Sequence, residues 1–97
     1  MPSLRVGSVR TCAHKKVVVL KTGVKDGEED AVVVAPLIRS KSSGGPGVEV
    51  RDRVWGVYRV LVGQASTVRV KSLVTVWTGP DYIGPDEMKA VLQEAGK

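Results

Sequence analysis

Apolar residues fall in short runs and partial alternations, separated by breaks rich in glycine and charge. Residues 31–40 read AVVVAPLIRS. The run is β-branched and too short for a lone helix, so it predicts a strand buried on both faces. Pro36 has no N–H to give a central ladder and marks the strand's end, an edge or a bulge. Residues 17–20 (VVVL) predict a second buried strand, and residues 4–12 (LRVGSVRTC) a short first strand with a bulge or a tight bend at Gly7. Between them, residues 13–16 (AHKK) form a brief polar connection. Residues 22–30 (TGVKDGEED) read as a solvent-facing turn, and residues 39–47 (RSKSSGGPG) as a flexible loop. Residues 48–53 (VEVRDR) suit a charged edge strand. Residues 54–62 (VWGVYRVLV) predict another strand, and residues 63–66 a turn.

Residues 67–77 alternate at first, with Val68 and Val70 on one face and Arg69 and Lys71 on the other. After a turn at residues 78–84 the period changes. Pro85 suits a first helical position, and Asp86 and Glu87 suit its positive end. Met88, Val91, Leu92 and Ala95 then follow helical spacing, with Gly96 as a C-terminal cap. The sum is mainly β. It predicts a small antiparallel barrel of five to seven strands with one C-terminal amphipathic helix, a single domain over residues 1–97.

Charge changes the picture next. The formal net charge of +5 favours an anionic partner, nucleic acid or an acidic protein. Cys12 is the single cysteine and His14 the single histidine, which excludes an internal disulfide and a His/Cys metal cluster within one chain. No metal or other cofactor is expected. Residues 1–3 lead into no apolar signal segment, and no run reaches membrane-spanning length, so the expectation is a cytoplasmic protein with no membrane contact. The cations that could meet a phosphate backbone are Lys16, Lys41, Arg69 and Lys71. Trp55 and Tyr58 stand at strand spacing and offer either a stacking platform or core or dimer contacts.

The order of pieces resembles the PemK/MazF family of toxin endoribonucleases, which share an SH3-like barrel with the CcdB gyrase poisons. The matching stretches are Val6-Gly7-Ser8-Val9, the aliphatic strand from Lys15 to Leu20, Val33-Val34-Ala35-Pro36-Leu37-Ile38-Arg39-Ser40, the Gln64 segment, and the helix opening Pro85-Asp86-Glu87-Met88. The resemblance implies an SH3-like barrel and metal-independent cleavage of RNA, or descent from a protein that did so. It implies a homodimer and an acidic antitoxin partner. It also locates the site at the start of the second strand and the end of the third. There Lys15 stands where the family has Arg, and Ile38 where it has a hydroxyl, with Ser40 two residues further on. Ser66 stands where the family has a further Arg, and the loop between the first two strands is cut short.

Cleavage through the 2′-hydroxyl needs a base, an acid and a cation on the phosphate. The candidate catalytic set is His14, Lys15, Arg39 and Ser40. Arg39 has the guanidinium fork that Lys15 lacks, and His14 is the natural proton carrier near neutral pH. Two other readings stay open: a non-catalytic SH3-like barrel that binds nucleic acid or a protein, and a CcdB-like poison of a protein target.

Overall fold

The valine runs at residues 17–20 and 31–35 form the centre of the structure because neighbouring residues in each bury opposite faces. The computed structural model describes residues 4–39, 47–52, 54, 56–75 and 82–95. Among the described residues there are seven strands: β1 (Val9–Cys12), β2 (Lys15–Asp26), β3 (Glu29–Arg39), β4 (Val48–Asp52), β5 (Gly56–Val60), β6 (Ser66–Arg69) and β7 (Val74–Thr75). One helix, α1 (Pro85–Ala95), follows. Every strand pairing is antiparallel. The hydrogen-bonded order is β4-β5-β3-β2-β1-β7, with β6 also on β3. No described helix is long and apolar enough to cross a membrane.

Alternation along β2 and β3 divides the apolar residues into two clusters. Val18, Leu20, Ala35 and Leu37 join Val9, Val50, Tyr58, Val60 and Ile83, and α1 covers this side with Met88 and Val91. Val17, Val19, Val32 and Val34 form the other cluster, with Leu4, Cys12, Val68, Val70 and Leu73 packed against it. A run of four buried residues at 17–20 therefore reflects two covered faces. The helix matches expectation in its bounds, but only Met88 and Val91 are buried, and Leu92 is 40% exposed. Tyr58 is a core residue at 5% exposure, so it is no stacking platform. Trp55 lies outside the described residues.

Three expectations change. The predicted turn at residues 22–30 is mostly ladder. β2 and β3 stay paired out to Asp26↔Glu29, and Gly27, at φ +67, leads a two-residue turn. Hydrophobicity does not reveal this arm because it is exposed on both sides, and Lys25–Asp30 pair across it instead. The predicted strand at 67–77 is interrupted. Residues Val70–Ser72 form a single 3-10 turn, where the chain leaves β3 for the edge of β1. Its alternation survives only because Val70 and Leu73 still face the core.

Third, the sheet curls without closing. Among the described residues no ladder joins β7 to β6 or to β4. The 3-10 turn removes three residues from the ladder, and the two-residue β7 reaches β1 alone. Pro36 does not end β3. The strand runs on to Arg39, and Pro36 stands between the stretch paired with β6 (Ala31 to Val34) and the stretch paired with β5 (Leu37 to Arg39). At that gap a missing N–H costs no ladder bond, while the Pro36 carbonyl accepts from the Leu61 N–H at 2.9 Å.

Candidate nucleic-acid interface

The β1–β2 connection is a two-residue turn, Ala13 and His14, closed by Cys12↔Lys15. Both central residues have positive φ, 51° and 67°, as a type I′ turn requires. No glycine relieves that demand, and a left-handed alanine costs about 1 kcal/mol. Ala13→Gly is therefore expected to stabilise the protein by about 0.5–1 kcal/mol, measured as a rise of a few degrees in thermal midpoint. A fall in the midpoint would mean that the turn is not under this strain.

The turn holds His14 and Lys15 exposed, with Lys16 half-buried behind them. The β2–β3 register includes Val17↔Pro36. Lys15 and Lys16 precede that pair in β2, and Arg39 follows it in β3. Alternation places Lys16 on the side of Val18 and Arg39 on the side of Leu37. His14, Lys15, Lys16 and Arg39 thus gather at one end of the sheet, where Arg39 and Ile38 are exposed. Among the described residues, Lys15, Lys16 and Arg39 make no ion pair. Ser40 and Lys41 lie outside the described residues.

Arg69 and Lys71 do not join this group. Arg69 is opposite Ala31, eight residues along β3 from Arg39. That is about 26 Å at strand rise. Arg69 Nε donates to Asp26 at 2.9 Å, and Lys71 Nζ to Glu29 at 3.2 Å. These cations neutralise the acidic arm of the β2–β3 hairpin. Simple alternation placed them correctly on an exposed face, but their acidic partners lie more than 40 residues earlier in sequence.

Two further charged groups escaped sequence reasoning. Arg59, only 8% exposed, pairs across the ladder with Glu49 at 3.9 Å. Arg5 stacks its guanidinium over Tyr82, 5.5 Å from the ring centroid. That pair borders a cleft of about 200 Å³, together with Val6, Ile83, Pro85 and Met88. Nothing in the spacing of Arg5 and Tyr82 signals their contact, because it depends on where the segment before α1 returns to the first strand.

What the sheet end can do follows from its groups. Two lysines are point charges suited to phosphate oxygens, and the arginine can grip one through two N–H bonds. The imidazole of His14 adds a proton carrier. Comparison with protein-family models, with curated proteins and with solved structures returns no match for this chain.

Proposed function

We propose that this protein binds single-stranded RNA through the sheet end formed by the β1–β2 turn and the C-terminal end of β3. The observation that carries this reading is the β2–β3 register. It brings Lys15, Lys16 and Arg39 to one end, without ion-pair partners among the described residues. The cations at the far end are already matched to acids. Cations that are not neutralised within the fold release counterions from a polyanion when they bind it. The resemblance to the endoribonuclease toxins is the reason for reading the polyanion as RNA and the protein as cytoplasmic. An acidic protein, the antitoxin that the resemblance implies, would compete for the same cations.

Metal-independent cleavage is the second reading, favoured by the position of His14 at the same end as Arg39. His14 would take the 2′-hydroxyl proton and Arg39 would hold the phosphate that this oxygen attacks; the P–O5′ bond breaks to leave a 2′,3′-cyclic phosphate, and a solvent water protonates the departing 5′-oxygen. Ile38, exposed where the family places a hydroxyl, supplies none.

The test is incubation of the pure protein with a long mixed-sequence RNA, with and without a chelator, followed by gel shift over a salt series. Salt-sensitive retention of intact RNA supports binding alone. Cleavage that survives the chelator and disappears in His14→Ala and Arg39→Ala supports the second reading. Neither shift nor cleavage would overturn both and favour a protein target.

A further inference from the structure

The cleft lined by Arg5, Val6, Tyr82, Ile83, Pro85 and Met88 is separate from the cationic sheet end. It adjoins Gly7, whose N–H meets the Val19 carbonyl, about 13 Å along β2 from Lys15. Its walls are tied together within the fold. Ser8 bridges to Tyr82, and the Gly7 carbonyl accepts from the Ile83 N–H at 2.7 Å. The Arg5 N–H donates to Ser8 Oγ at 3.2 Å, and the Ser8 N–H donates to the Arg5 carbonyl at 3.0 Å. A site fixed in advance loses little freedom on binding.

Two chemistries meet there. Ile83 and Met88 are buried, and with Val6 and Pro85 they supply apolar lining. Arg5 supplies charge. Its guanidinium lies over the Tyr82 ring, a contact that holds the cation through the ring face and consumes none of its N–H donors. Among the described residues those donors meet no carboxylate or other acceptor. Asp86 and Glu87, the acids that open α1, do not line the cleft. A guanidinium held in place with its donors unused suits a carboxylate, which takes two N–H groups at once. Volume limits the rest of the ligand. A cavity of about 150 Å³ holds one benzene ring, so about 200 Å³ holds a ring with a short acidic arm. The Met88 thioether favours an aromatic ring over an aliphatic one.

We propose that this cleft binds a small aromatic carboxylate, with its ring against Ile83 and Met88 and its carboxylate on the Arg5 guanidinium. The RNA-binding reading is independent of it.

NMR titration of the full chain, isotope-labelled in its methionine methyl groups, tests the proposal with phenylacetate as the probe. The Met88 methyl signal, assigned by its loss in Met88→Leu, is expected to shift and saturate with a Kd of about 1 mM or tighter. Phenylacetamide keeps the ring without the charge and should bind about fivefold or more weakly. Cyclohexylacetate keeps the charge without the aromatic ring and should bind about threefold more weakly. Arg5→Gln should weaken phenylacetate about tenfold while leaving phenylacetamide within about twofold. The amide comparison uses the native protein, so it holds whatever the variant does to folding. A Met88 signal unmoved at about 50 mM phenylacetate would overturn the proposal. So would equal affinity for phenylacetate and its amide, or a folded Arg5→Gln protein that binds phenylacetate as the native one does. An oligoribonucleotide that shifts Met88 where phenylacetate does not would overturn it too, and would give the cleft to the RNA strand.

Discussion

Replacing Lys15, Lys16 and Arg39 together with alanine is expected to reduce affinity for single-stranded RNA on the order of 100-fold at 50 mM salt. The same variant should lower the slope of log affinity against log salt by about 2, from roughly 0.7 per phosphate contact on a single strand. All three residues stand at the end of their strands, and Lys15 and Arg39 are exposed, so the fold should persist. Arg69→Ala with Lys71→Ala provides the contrast. It removes two positive charges, but ones engaged by Asp26 and Glu29. Arg69 stands opposite Ala31, about 26 Å along β3 from Arg39, and Lys71 follows it in the adjoining turn. That distance exceeds the Debye length of about 8 Å at physiological salt, so affinity should change by less than about threefold. Gel shifts across a salt series measure both variants. Equal losses in the two would show that net charge, and not the sheet end, carries binding.

Gly7→Ala is expected to destabilise the protein by about 2–3 kcal/mol, the sum of a strained backbone and a crowded Cβ. Gly7 ties three parts of the chain together. Its N–H donates to the Val19 carbonyl at 2.8 Å, and its carbonyl accepts from the Ile83 N–H at 2.7 Å. Its φ of +96° is one that residues with a Cβ rarely adopt. A Cβ there would lie 3.1 Å from Met88 Cγ and 3.2 Å from the Ile83 carbonyl oxygen, so relief would require moving α1 or the segment that leads into it. For a domain of this size the thermal midpoint should fall roughly 10–20 °C. Gly63→Ala is the control: a Cβ there meets nothing within 4 Å, and the change should stay within about 0.5 kcal/mol. A Gly7→Ala midpoint within about 3 °C of native would contradict this account.

The parts of the fold legible in the sequence are those where burial and local spacing agree. Residues 17–20 and 31–35 could be read as doubly buried strands because valine filled both faces. The start of α1 could be read from Pro85, Asp86 and Glu87, whose chemistry acts within one turn. Gly7 could be read as a bend. Other features depended on remote partners. The arm beyond Lys21 is held by pairing with β3 and by cross-strand charge, which leaves no hydrophobic period. The turn at Val70 is set by the distance from β3 to β1. Of the candidate site, Lys15, Lys16, His14 and Arg39 were legible and the register unites them. The acid partners of Arg69 and Lys71 were not legible, because an exposed cation on a strand looks the same in sequence whether or not a distant acid neutralises it.

Pro36 has a consequence for how the molecule opens. β3 is one strand in geometry but has two sets of neighbours, β2 with β6 on one side of the proline and β5 beyond it. The amides from Ala31 to Val34 lie between two strands, and their exchange with solvent should require unfolding of the central sheet. Those from Leu37 to Arg39 depend on the β4–β5 hairpin staying docked, and should exchange whenever that hairpin detaches. Proline, with no amide of its own, falls at the boundary between these two cooperative units. The end of β3 that carries Arg39 can then loosen and re-form while the valine centre stays intact, so the cationic end is mounted on the more yielding half of an otherwise rigid strand.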